Sequence, residues 1–221
     1  MPKPLTLPFL QREATSFAKT ESKHAEPSLF GVTDGKAVGT YLEHKFQKVL
    51  QSRYKYVRGN SAKGIDFPKL GVDIKVTSIR QPQSSCPFKS ARQKIYGLGY
   101  SLIVFVYDKR DDPATKTGRL DILHTIFVRQ ERTADFQTTS GLRRLIKNKA
   151  NRDDILAFFQ ERMLPVDEVE AENLADEVLR KPPEVGYLTV SNAHRGGCNT
   201  GESLNKQVKS AAFCDWYENA R

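Results

Sequence analysis

Cysteine is scarce and scattered in this chain. Cys86, Cys198 and Cys214 are the only three, and no CxxC or comparable spacing joins them. That leaves neither a disulfide framework nor a zinc-ligand pattern, and free thiols suit a reducing compartment. Long apolar runs are missing too. The longest, "LIVFVY" at 102–107, falls far short of the ~20 residues that span a bilayer. The opening "MPKPLTLPFLQREATSF" contains no long apolar stretch of the secretion-signal type. The expectation is a cytoplasmic protein with no membrane association. There is no internal repeat and no GxxxxGK[ST] phosphate loop, which disfavours an ATP-driven enzyme.

Positive charge, by contrast, is abundant. Lys and Arg number 35 against 26 Asp and Glu, a net charge of +9 over 221 residues. A chain this basic tends to meet polyanions, with nucleic acid the commonest. Its length suits one domain with a real core and a small appendage. Residues 1–34, rich in Pro, Ser, Thr and charge, read as an irregular arm. The main domain is expected over 35–190, and 191–221 as a tail in which "LNKQVKSAAFCDWYENA" suits one amphipathic helix.

Within the main domain, Val38, Leu42, Phe46, Val49 and Leu50 recur at helical spacing behind the N-cap candidate Asp34. The order then predicts two short strands, a short helix over "ARQKIYGLG", a buried strand over "SLIVFVYDK" and another over "RLDILHTIFV". Three helical patterns follow, and "GYLTVSN" is a late strand candidate. This order predicts an α/β (α+β) fold, a mixed central sheet with helices packed on it.

The stretch "GIDFPKLGVDIKVTS" at 64–78 carries the chemistry. "IDF" and "VDIKV" read as strands joined by Pro68-Lys69-Leu70-Gly71, a four-residue hairpin loop. Phe67 then pairs with Val72, and Asp66 falls opposite Asp73. Alternation sends Val72, Ile74 and Val76 inward, with Asp73, Lys75 and Thr77 on the other face. Directly opposed Cβ atoms stand about 4.5–5.5 Å apart, so two carboxylates there repel unless a cation lies between them. Mg²⁺ resolves that conflict: it takes oxygen ligands and completes its shell with water and phosphate oxygens. A neighbouring lysine can stabilise charge developing on a phosphate or orient a water. The competing reading is a solvated strand edge. Glu21-Ser22-Lys23 and Glu43-His44-Lys45 share the acid-x-lysine spacing, but neither is flanked by alternating branched residues.

These residues resemble the PD-(D/E)xK motif of the restriction-endonuclease-like nucleases. Asp66 matches the first acid, Asp73 the second and Lys75 the lysine, while Ile65 stands where the motif's name has proline. The resemblance covers roughly residues 35 to 130 and looks most like a type II restriction endonuclease. It implies a restriction-endonuclease-like fold and Mg²⁺-dependent, sequence-specific cleavage of double-stranded DNA, with Mn²⁺ able to substitute. It further implies metal ligation by Asp66, Asp73 and the carbonyl of Ile74, and a catalytic lysine at Lys75. Glu43, on the first helix, stands where many such nucleases supply an extra acid. A cognate DNA methyltransferase is the implied genetic partner, and the choice between monomer and homodimer is left open. Two rival readings are a nicking or repair endonuclease with the same motif and a noncatalytic DNA-binding protein.

DNA contact is expected in two places. Lys48 and Arg58 belong to a basic run ahead of the hairpin. After Lys75, Thr77, Ser78, Arg80, Gln81, Gln83, Ser84, Ser85, Lys89, Arg92 and Gln93 form a polar stretch. Arg and Gln can read guanine and adenine edges with paired hydrogen bonds, so a loop leaving the catalytic strand suits base recognition.

Overall fold

The computed structural model of the chain describes residues 2–59, 64–80 and 88–188. They fall into two compact units, one from Met1–Ser85 with Tyr100–Val128, the other from Cys86–Gly99 with Arg129–Arg221.

The first unit is built on a mixed sheet. Its strands are β2 (Ala25–Glu26), β4 (Val72–Ser78), β5 (Ser101–Asp112) and β6 (Thr117–Val128), in the order β2-β6-β5-β4. β4 runs parallel to β5, whereas β5–β6 and β6–β2 are antiparallel. A shorter parallel pair joins β1 (Lys3–Pro4) to β3 (Tyr54–Lys55). The run "LIVFVY" lies in β5, where most of its side chains are buried, as expected of a strand with neighbours on both sides.

Two helices pack on this sheet. The first, α1 (Leu7–Glu21), corrects the expectation of an irregular arm over 1–34. Leu10, Glu13, Ala14, Phe17, Ala18 and Glu21 are its buried face, at helical spacing, and Pro8 sits in the first turn. Proline is tolerated there because the first-turn N–H groups have no intrahelical acceptor. Much of the polar composition that suggests irregularity, Thr15, Ser16, Lys19 and Thr20 among it, lies on the helix's exposed side, while Glu13 and Glu21 are buried.

The second helix, α2 (Gly35–Arg53), begins where expected, and the Asp34 carboxylate accepts hydrogen bonds from the Lys36 and Ala37 amides. Its buried face comprises Val38, Leu42, Phe46, Gln47 and Leu50. Phe17, Phe46 and Phe105 meet in the core, with ring centroids 5.1–5.8 Å apart.

The second unit is helical. α3 (Ala91–Tyr96) stops at Gly97, whose φ of 96° a side chain would resist. α4 (Phe136–Lys147), α5 (Arg152–Glu161) and α6 (Glu168–Arg180) match the three helical patterns. They close around Leu142, Ile155, Phe159, Leu174 and Val178. Gly141 lets α4 approach α5: a Cβ there would lie 2.6 Å from the Phe158 ring. Of the late strand candidate, Leu188 makes a single parallel bridge to Asp135. Gly186 and Tyr187 of that segment are not in a strand, and its residues from 189 on and the tail helix lie outside the described residues. No described helix is long and apolar enough to cross a membrane.

Candidate active site

The hairpin forms with one correction. Phe67 and Val72 exchange backbone hydrogen bonds of 2.9 and 3.3 Å around the Pro68–Gly71 turn, and Gly71 takes the left-handed φ of 61° that such a turn favours. "IDF", however, is not a strand. The antiparallel pairing stops after one bridge, and Asp66 leads into irregular chain held by a 2.9 Å bond from the Gly59 amide to its carbonyl.

The two acids nonetheless face each other. The Asp66 amide donates to Asp73 Oδ1 at 3.3 Å, and the Ile74 amide donates to Asp66 Oδ2 at 2.9 Å. Each carboxylate therefore ties down the other's stretch of backbone. Along an extended strand a residue's N–H and C=O leave the same edge. The Ile74 carbonyl thus shares the β4 edge at which Asp66 stands.

Val72 and Ile74 are buried as alternation requires, and Val76 is partly buried against the same core. The opposite face is less exposed than a solvated edge would be: Asp73 is 4% accessible and Lys75 is half-buried. Lys75 Nζ lies 2.9 Å from Asp73 Oδ2, an ion pair. That buried oxygen has no further partner among the described residues.

The electrostatics follow from this crowding. Burial, reinforced by Asp73, pushes the Asp66 carboxyl well above the usual carboxylate range. Glu43 is pushed up to about 7, first by burial and then by the charge of Asp66. Asp73 and Lys75 also act on Glu43, in opposite directions, which places this α2 residue within the field of the cluster. Burial pulls the Lys75 ammonium down, but its partner Asp73 outweighs that and holds it above the ordinary lysine value.

Such a cluster fits a divalent cation on two grounds. Negative charge has been concentrated where burial weakens its screening by water, and among the described residues the buried Asp73 Oδ2 has no partner beyond the Lys75 ammonium. Among the described residues no three His, Cys, Asp or Glu side chains are assembled as a ready cage. Mg²⁺ does not demand one, since it is usually held by one or two carboxylates with waters and substrate phosphates.

Gln47 was missed by the sequence reading. It is buried on α2, its Nε2 donates to Asp66 Oδ1 at 2.8 Å, and its Oε1 accepts from Arg58 at 2.7 Å. The available signal was its position one turn beyond Glu43, which puts a polar residue on the face of the candidate acid.

The expected DNA contacts divide. Thr77 and Ser78 end β4, and exposed Arg80 forks onto Asp108 at 2.6 and 3.1 Å. Gln81, Gln83, Ser84 and Ser85 lie outside the described residues. Lys89, Arg92 and Gln93 belong to the second unit, where Arg92 pairs with Glu177 and the Gln93 side chain accepts from the Lys89 amide. Lys48 is exposed on α2, and Arg58 is exposed although bonded to Gln47.

A mixed sheet packed with helices, with Asp73 and Lys75 on its edge strand and Asp66 brought beside them by the preceding turn, has a restriction-endonuclease-like α+β fold. The family model described as type II restriction enzyme NspV matches residues 4–199. The chain is 57% identical over 215 residues to the type II restriction enzyme NspV of Nostoc sp. (strain ATCC 29411 / PCC 7524), spanning 97% of this chain and 98% of that protein. No solved structure matches. The chain belongs to the type II restriction enzyme NspV family.

Proposed function

We propose that this protein is a Mg²⁺-dependent type II restriction endonuclease that hydrolyses phosphodiester bonds at a specific sequence in double-stranded DNA. The supporting observation is the convergence of Asp66, buried Asp73 and Lys75 in a chain of this family. Mn²⁺ is expected to substitute for Mg²⁺, and a cognate DNA methyltransferase is the expected genetic partner.

Asp66, Asp73 and the Ile74 carbonyl are the oxygens that would hold the cation. When bound, the cation supplies Lewis acidity toward a phosphate oxygen and makes a water more acidic. Lys75, oriented by Asp73, offers positive charge where negative charge grows on the phosphate as water attacks in line with the leaving oxygen. Glu43, titrating near neutrality, is suited to hold or release a proton at its carboxyl. Thr77, Ser78 and Arg80 follow on the same chain segment; Thr77 and Ser78 are suited to contact the DNA beside the cut, and Arg80 would do so by exchanging Asp108 for a DNA acceptor.

Supercoiled plasmids of diverse sequence, incubated with Mg²⁺, provide the test. Discrete fragments are expected from the unsubstituted protein and none from Asp73→Ala. Absence of cutting on every substrate, or undiminished cutting by Asp73→Ala, would defeat the reading.

A further inference from the structure

We infer that Gln47 is a positioning residue for Asp66, and that Arg58 fixes the direction in which its amide faces. The inference rests on the metal-binding reading of Asp66. Gln47 is only 8% accessible, on a helix face it shares with Phe46 and Leu50. A buried amide needs partners for both its ends, and here each end has one. Its Nε2 lies 2.8 Å from Asp66 Oδ1, and its Oε1 lies 2.7 Å from Arg58 Nη2. Turning the amide over would set its carbonyl against a carboxylate and its NH₂ against a guanidinium. The two charged neighbours therefore enforce one orientation.

Asp66 needs that support. It stands in irregular chain rather than in a strand, and the terminal torsion of aspartate has only broad preferences. With Oδ1 held by Gln47 and Oδ2 by the Ile74 amide, the plane of the carboxylate is set from both sides. The chemistry of the relay is also suitable. Arg58 polarises the amide and strengthens its N–H donor, while the group touching Asp66 stays neutral. An arginine placed directly on Asp66 would compete with a bound cation, and a glutamine does not. Tyr56 hydroxyl donates to the Gln47 carbonyl at 3.2 Å and ties the segment carrying Arg58 to this turn of α2.

Binding of Mn²⁺ to the full chain without DNA, followed by electron paramagnetic resonance, reads the role independently of cleavage. Partners that orient a metal ligand typically contribute about 10–100-fold in metal affinity. Gln47→Leu is expected to weaken Mn²⁺ binding by roughly tenfold or more on that scale. The Mg²⁺ concentration for half-maximal cleavage should rise in step, with a smaller change in rate at saturating metal. Arg58→Ala should weaken binding less, and adding it to Gln47→Leu should cost nothing more, because the relay is already cut. Arg58 is exposed, so its variant keeps the inference testable if Gln47→Leu fails to fold. Mn²⁺ affinity unchanged in both single variants, or additive losses in the double variant, overturns the relay alone. If the unsubstituted chain takes up no Mn²⁺, or if Asp73→Ala binds it equally well, the metal reading falls and this inference with it.

Discussion

At the residue scale, Glu43, Asp66 and Asp73 repel one another where burial removes the water that would screen them, and Lys75 only partly offsets them. The consequence for stability has a definite sign. The Glu43 carboxyl titrates near 7 in the folded chain against 4.5 for the free group, so between those values the native state holds more protons than the unfolded one. Without metal, the Glu43 contribution therefore falls as pH rises from about 4.5 through about 7. Scanning calorimetry of Glu43→Gln without divalent cations should give a higher melting temperature than the unsubstituted chain at pH 8, and little difference at pH 4.5. The stabilisation conferred by Mg²⁺ on the unsubstituted chain should be larger at pH 8 than at pH 6, where protons compete for the same oxygens. Lys75→Met belongs to this scale too. On the proposed mechanism it removes the positive charge that would face the reacting phosphate, and the single-turnover cleavage rate should drop about 10²–10³-fold. A loss of less than about twofold would mean that Lys75 serves Asp73 alone.

At the scale of elements, α1 was the piece that composition concealed. Its six buried positions include two alanines and two glutamates, so few large apolar residues mark the helical period. Phe17 packs between Phe46 of α2 and Phe105 of β5. Truncating such a buried ring usually costs about 3–5 kcal/mol. Urea denaturation of Phe17→Ala should show a loss of that order, and a loss under about 1 kcal/mol would contradict the packing described. The hairpin shows the reverse relation. Its turn residues were plain in the sequence, yet the strand expected before the turn shrank to one bridge. Beyond it the chain bonds through Gly59 and the side chain of Asp73 instead of extending the ladder. The acids still meet, because a single bridge next to a tight turn suffices to set their register.

For the whole molecule, the excess of basic residues governs how it meets DNA. A protein that neutralises phosphates releases condensed counterions, and log K falls by about 0.9 per decade of salt for each contact. Filter binding in the absence of divalent cations should therefore show a steep, linear loss of affinity with log salt concentration. Replacing a lysine that makes a backbone contact, with Lys48→Ala the first candidate, should lower that slope by about 0.9 and leave sequence preference intact. A slope unaffected by Lys48→Ala would remove that residue from the interface. Several basic residues already have internal acidic partners, such as Arg80 with Asp108 and Arg92 with Glu177. Net charge alone thus overstates how many cations stand free to meet phosphates.

What the sequence by itself determined is the part governed by neighbours along the chain. The Pro68–Gly71 turn, the Phe67–Val72 pairing, the placing of Asp66 opposite Asp73 and the capped start of α2 all follow from residues a few positions apart, whose steric and hydrogen-bonding preferences act locally. Only the tertiary structure decided how deeply Asp73 is buried, that Glu43 enters the field of the acids, and that Gln47 reaches Asp66 across 19 positions of chain. Those properties depend on how α2 settles on β4. Packing sets the local dielectric and brings distant side chains into contact, and neither effect is encoded in the spacing of residues within one segment.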